Sequence, residues 1–96
     1  MFTAHLDEFN DRINARGRTP DTFAEHDSIL YHEGKMYDLI GEYIQDVDAL
    51  TCIQMDWYLR HIRHHVSAIL AYLELNIDAD CVMYEAIDVQ SARRAA

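Results

Sequence analysis

An unbroken apolar heptad in the second half of the chain constrains the fold more than any other feature. Its members alternate at spacings of three and four residues, and they are Cys52, Met55, Leu59, Ile62, Val66, Ile69 and Leu73. Only a helix places side chains at these spacings on a single stripe. No glycine or proline interrupts the segment. The pattern therefore predicts a long central helix over about 48–76, roughly 40 Å in length, with Asp46 or Asp48 as its N-cap.

Length and composition fit one domain that the central helix organises. The chain has 96 residues, of which half are apolar, as is typical of a globular chain rather than a disordered one. Two cysteines suit neither a disulfide scaffold nor a four-ligand zinc site, and we expect Cys52 and Cys81 to be small buried side chains. The start of the chain lacks the features of a signal peptide, and no apolar stretch is long enough to cross a bilayer. These features predict a single domain, 1–96, in the cytoplasm.

The first part of the chain carries two short helix signals. Thr3 is a suitable N-cap for the first helix, and Gly17 supplies its stop. The apolar stripe between them consists of Leu6, Phe9 and Ile13. A second start follows, where Thr22 and Glu25 form a capping box. It predicts a helix of about two turns that buries Phe23.

The middle segment is compatible with two structures. Met36, Leu39, Ile40, Tyr43 and Val47 recur at helical spacing. The density of tyrosine and isoleucine around Gly34 instead favours a β-hairpin over 29–40, with the glycine in its turn. Gly41 would cost a helix interior about 1 kcal/mol. We favour a helix that begins at Lys35 and keep the hairpin as the alternative. In either case the pattern predicts a break near 46–48.

The last helix is predicted after Asn76. Asp78 is a suitable cap, and Asp80 lies in the first turn, where the helix dipole favours an acid. Its apolar residues are Val82, Met83, Ala86, Ile87 and Val89. The predicted fold is therefore mainly α, a small bundle of three to four helices around the long central helix, with the hairpin at 29–40 as an open alternative.

The sequence offers no catalytic motif, and we predict that the protein is not an enzyme. The nearest thing to a site is the pair His61 and His65, which lie four residues apart, so that both imidazoles could reach one metal ion from a helix. Arg60 and Arg63 stand among them and would repel a cation. We therefore predict no catalytic residue, no cofactor and no metal. A small histidine-based metal-binding bundle is the third choice of function, with His61 and His65 as its candidates.

The charge distribution carries more information about partners. The formal charge is −9 and the pI is near 4.8, which argues against direct binding of nucleic acid or an anionic membrane. Residues 21–56 contain nine acids and one lysine, a local charge of −8. On a helix, Asp38, Glu42 and Asp46 would form one ridge of carboxylates that resembles a row of phosphates. A solvated surface is the ordinary explanation for such acids, and a basic partner is the functional one.

Trp57 lies off the heptad stripe, and it favours the functional explanation unless another helix covers it, because partly exposed tryptophans often anchor interfaces. The alternative is that it packs under the N-terminal helix. The expected partner-binding residues are Asp38, Glu42, Asp46, Asp48 and Trp57. We predict an acidic protein-interaction module that occupies a basic groove of a nucleic-acid-handling protein, as an inhibitor or nucleic-acid mimic. A phage-type anti-restriction or anti-CRISPR role is an analogy of this kind. The alternative is a helical homo-oligomer, such as a dimer, with a structural or regulatory role.

Overall fold

The computed structural model describes residues 1–16 and 23–95 of the chain. This part contains four α-helices and no strand. They are α1 (Ala4–Arg16), α2 (Phe23–Asp46), α3 (Cys52–Leu73) and α4 (Ala79–Ala95). A 3-10 turn, Val47–Ala49, follows α2 at the predicted break. The predicted mainly α bundle is confirmed, and the hairpin over 29–40 is wrong, because that segment is an uninterrupted part of α2.

α2 is one helix of 24 residues, not a two-turn helix followed by a second one that begins at Lys35. Ile29, Met36 and Ile40 lie on one face of it and are completely buried. Gly34 lies on the exposed side, and no atom comes within 4 Å of where its Cβ would be. Burying three such side chains stabilises the helix by roughly 1.5–3 kcal/mol each, whereas Gly34 costs it only about 1 kcal/mol. The predicted capping at Thr22 and the side chain of Phe23 lie outside the described residues.

α3 begins later than predicted, because Thr51 rather than Asp46 or Asp48 is its N-cap. The Gln54 backbone N–H donates to Thr51 Oγ1 at 3.2 Å, and the Thr51 N–H donates to Gln54 Oε1 at 2.9 Å. This capping box defines a helix of 22 residues instead of the predicted 48–76. At the other end Glu74 adopts a left-handed conformation with φ 53°, and its N–H donates to the Ala71 carbonyl at 3.2 Å.

α2 and α3 form an antiparallel pair. The rings of Tyr43 and Tyr58 lie 6.1 Å apart near the connecting turn, and those of His32 and His65 lie 5.2 Å apart further along. The core forms where α1 and α4 pack on this pair. Its largest completely buried side chains are Phe9, Ile29, Met36, Ile40, Ile62, Ile69, Met83, Val66 and Val82.

Only the second half of the predicted stripe on α3 belongs to this core. Ile62 and the stripe residues after it are buried, Met55 and Leu59 are half-buried, and Cys52 is exposed. The expectation that Cys52 is buried is therefore wrong, and Cys81 is only half-buried. α1 and α4 are hydrogen-bonded to the C-terminal half of α3, through Arg16 to the Tyr72 carbonyl and through Asp80 to Arg63. The first turns of α3 therefore extend beyond the part of the bundle that covers the stripe.

The positions and buried stripes of α1 and α4 agree with the sequence prediction. The hydroxyl of Thr3, the predicted cap of α1, donates to the Asp7 carboxylate at 3.0 Å, and the predicted stop at Gly17 lies outside the described residues. The three residues of the α1 stripe are buried, and so are Val82, Met83 and Ala86 on α4. Asp78 caps α4, because its Oδ1 accepts the Asp80 backbone N–H at 2.8 Å.

A buried carboxylate fastens α4 to the start of α1. Glu85 is 7% exposed, and its Oε1 accepts the backbone N–H groups of His5 at 3.0 Å and Leu6 at 3.2 Å. Its Oε2 lies 2.7 Å from Nδ1 of His5. The first N–H groups of a helix have no partner within the helix, and the positive end of the helix dipole favours an acid. Glu85 thus satisfies the first turn of a helix that lies far away in sequence.

Candidate partner-binding surface

Four exposed carboxylates form what we call the acidic face: Asp38, Glu42, Asp46 and Asp48. The first three share one ridge over the last two turns of α2, as the spacing predicted, and the fourth lies in the 3-10 turn. None of the four makes a salt bridge or a side-chain hydrogen bond within the described part of the chain. Other acids are neutralised locally, as Asp56 is by Arg60 at 2.6 Å. The four carboxylates of the acidic face are therefore exposed and have no ion-pair partner within the described part of the chain.

Trp57 is 48% exposed and is held in place by two neighbouring rings. It stacks on His61 with ring centroids 4.1 Å apart and meets the edge of Tyr58 at 5.0 Å. Tyr58 itself contacts Tyr43 of α2. A large aromatic side chain that is already ordered loses little conformational entropy when a partner covers it. The structure thus leaves about half of the indole open while fixing its orientation.

The indole lies near the turn between α2 and α3. Leu50, Gln54, Trp57 and Tyr58 line a shallow pocket of about 230 Å³ there. Leu50 follows Asp48, the last carboxylate of the acidic face, by two residues in the chain. The sequence could not show that Leu50 of the turn lines one pocket with Trp57 and Tyr58 of α3.

Ile53, which was not among the predicted partner-binding residues, is exposed on the same part of α3 as Trp57. It is 83% exposed, one turn before Trp57, and it lines a second shallow pocket with Trp57 and His61. Its signal was its position off the heptad stripe, on the same side of α3 as Trp57. Ile53 and Trp57 together form an exposed apolar edge at the start of α3.

The two histidines proposed for a metal have different partners. His61 Nδ1 donates to the Trp57 carbonyl at 2.8 Å, so this imidazole belongs to the tryptophan stack. His65 Nδ1 lies 2.9 Å from Nδ1 of His32 on α2. Partial burial lowers the pKa of His65, and the nearby His32 lowers it further. No three His, Cys, Asp or Glu side chains are grouped to hold a metal ion in residues 1–16 and 23–95.

A further cleft of about 370 Å³ separates α1 from α2 and α4. Its polar lining includes Asn10, Tyr37 and Arg93. Burial, with a smaller effect of Glu33, raises the pKa of the Tyr37 hydroxyl, and a hydrogen bond with Asn10 opposes the shift. A phenol with a raised pKa stays protonated at neutral pH and is a poor nucleophile. This cleft therefore gives no reason to revise the prediction that the chain is not an enzyme, which stays a prediction.

Comparisons with known proteins give no family to which the chain can be assigned. No protein-family model matches the sequence, and neither the curated proteins nor the solved structures yield a match. Among the described helices, none has both the length and the apolar character that crossing a membrane would need.

Proposed function

We propose that this protein is an interaction module whose acidic face binds a basic groove on a protein that handles nucleic acid. The apolar edge of Ile53 and Trp57 is the anchor of the same interface. In this proposal the protein acts as an inhibitor that occupies the groove in place of the nucleic acid. The anti-restriction or anti-CRISPR role is one form that such inhibition takes.

The observation that carries the proposal is a row of unpaired carboxylates on the last turns of α2, together with a half-exposed tryptophan near the start of α3. Unpaired surface acids steer a basic partner towards them and can be neutralised by several of its cations at once. A large aromatic residue in the same interface supplies apolar contact that slows dissociation, since interface energy concentrates in such residues. Charge and anchor are therefore complementary parts of one binding surface.

Reversing the acidic face should abolish most of the binding. We expect the triple variant Asp38→Lys, Glu42→Lys and Asp46→Lys to bind its partner at least about tenfold more weakly than the wild type. This corresponds to a loss of about 1.4 kcal/mol in binding free energy. The partner is captured from lysate, identified by mass spectrometry and then titrated as a purified protein. A nucleic-acid oligonucleotide should compete with the binding, and raising the salt concentration should weaken it, because exposed charges are screened beyond about 8 Å at physiological ionic strength.

The matched control reverses three other exposed acids, Asp11, Asp27 and Glu74, which makes the same change in net charge. Glu74 lies at the far end of α3, about 33 Å from Cys52 along the helix. The control variant should bind within about twofold of the wild type, because only its long-range attraction is reduced. Equal losses in the two variants would show that net charge rather than the acidic face governs binding, and unchanged binding in both would exclude the proposal.

Trp57→Ala should act on a different step. We expect the dissociation rate to rise about tenfold or more while the association rate and the salt dependence change little, because the indole contributes short-range contact. Surface plasmon resonance with the purified partner at two salt concentrations measures both rates. A variant that changes only the association rate would argue against the indole as anchor.

A homo-oligomer is the second candidate, and the 83% exposure of Ile53 favours it. The buried half of the heptad stripe is occupied within the chain, so self-association would use exposed side chains, of which Ile53 is the most exposed large apolar one among the described residues. Sedimentation velocity at micromolar to millimolar concentration should then show a dimer that Ile53→Glu dissociates. A wild type that sediments as a monomer throughout would remove this candidate.

A further inference from the structure

Two histidines that are far apart in sequence meet between α2 and α3. His32 and His65 are both half-buried, and their Nδ1 atoms lie 2.9 Å apart. Each imidazole also contacts a further ring: Tyr31 lies 5.3 Å from His32, and His64 lies 5.3 Å from His65, measured between centroids. The two ring nitrogens therefore face each other from two packed helices within a partly aromatic surrounding.

We propose that His32 and His65 bind one divalent transition-metal ion, with zinc as the probe, and that the ion links α2 to α3. This inference is independent of the proposed partner binding, because neither histidine belongs to the acidic face or to the apolar edge.

The distance between the nitrogens suits a shared ion. Two imidazole nitrogens on one tetrahedral zinc, each at about 2.0–2.1 Å from the metal, lie roughly 3.3 Å apart. Widening the present contact by about 0.4 Å therefore suffices, and small rotations of the two side chains can supply it. Both ligands come from helices whose packing already fixes their positions, so binding costs little conformational entropy.

A metal ion can replace the hydrogen bond between His32 and His65 without changing the number of protons on the two neutral imidazoles. When both imidazoles are neutral, one Nδ1 must donate and the other accept in this contact, because a neutral imidazole has one donor and one acceptor nitrogen. When the ion binds, the donating ring moves its proton to Nε2, so that both Nδ1 lone pairs face the metal. No net proton is released from the neutral pair, and the ion replaces the hydrogen bond.

Two protein ligands leave coordination positions for water. Within the described residues no third ligand completes the set, and the ammonium group of Lys35 is near enough to His65 to oppose a cation. The site is therefore weaker and more exchangeable than a four-ligand structural zinc site. Imidazole nitrogen also suits copper and nickel, and the usual order of divalent affinities places copper above both nickel and zinc.

Thermal unfolding of the tag-free protein with added zinc chloride tests the proposal. Zinc at about 100 times its measured dissociation constant should raise the melting temperature of the wild type by at least roughly 10 °C, and a chelator should reverse the rise. Isothermal titration should give one ion per chain. Either His32→Gln or His65→Gln, which leaves one ligand, should abolish the rise, whereas the matched control His61→Gln, whose imidazole contacts Trp57 instead, should keep it.

The wild type provides a readout that does not depend on the folding of any variant. In NMR spectra, zinc should shift the imidazole signals of His32 and His65 first and leave those of His5 and His26 unchanged. A melting temperature that zinc does not raise, or a rise that persists in His32→Gln and His65→Gln, would overturn the proposal. Saturable shifts of His61 and His64 alone would also overturn it, because they would place the ion on the exposed face of α3.

Discussion

Replacing Ile62 by alanine is expected to lower the free energy of unfolding by about 2–5 kcal/mol. The side chain is completely buried in the cluster that all four helices share, so its removal leaves a cavity that a helical bundle can only partly close. A domain of this size is stabilised by only about 5–15 kcal/mol in total. Chemical denaturation should therefore show a large fall in the midpoint with little change in slope.

The control is on the same heptad stripe. Cys52→Ala removes an exposed side chain ahead of the part of α3 that the bundle covers, and we expect a change below about 0.5 kcal/mol. Losses of similar size in the two variants would mean that the whole stripe is covered in solution, which would point to self-association. A loss below about 0.5 kcal/mol for Ile62→Ala would remove α3 from the core.

Glu85→Ala is expected to lower the free energy of unfolding by about 2–3 kcal/mol. The substitution leaves the partly buried backbone N–H groups of His5 and Leu6 without this hydrogen-bond acceptor. The carboxylate accepts two backbone N–H groups in the first turn of α1 and the imidazole of His5. The same change should increase amide hydrogen exchange at Leu6 far more than at residues in the middle of α3, because α1 loses its cap.

Glu85→Gln separates the hydrogen bonds from the charge. The glutamine carbonyl can still accept the backbone N–H groups, but it gives up the favourable interaction of a negative charge with the helix N-terminus, worth about 0.3–1 kcal/mol. We expect its loss of stability to be less than half that of Glu85→Ala. If both variants unfold at the wild-type denaturant midpoint, Glu85 does not hold α1 on the bundle.

The elements that the sequence predicts well are those decided by local signals. The heptad predicted α3, and apolar residues at helical spacing predicted α1 and α4. These patterns are informative because each helix buries one face. The hairpin over 29–40 was wrong because tyrosine and isoleucine have a strand preference that burial of Ile29, Met36 and Ile40 overrides. The predicted N-cap of α3 was wrong because the sequence contains several residues that can cap a helix. Asp46 and Asp48 were chosen, whereas Thr51, which forms a capping box with Gln54, is the cap in the structure.

The features that the sequence could not provide depend on contacts between distant segments. In the sequence, nothing distinguishes Glu85 from the exposed acids. Only the fold places it at the start of α1. His32 and His65 lie on different helices, and nothing in either neighbourhood specifies the other. The sequence left the exposure of Trp57 open, and it led us to expect a buried Cys52, because periodicity indicates which residues share a face and not how far the bundle covers that face.

The most direct test of the central claim is carboxylate labelling of the protein in complex with its captured partner. Labelling by a carbodiimide and an amine, read residue by residue in a mass spectrometer, should fall severalfold at Asp38, Glu42, Asp46 and Asp48 when the partner binds. Labelling of Glu74, at the far end of α3, should stay the same. Protection of Glu74 with unchanged labelling of the acidic face would place the partner elsewhere and contradict the proposed function.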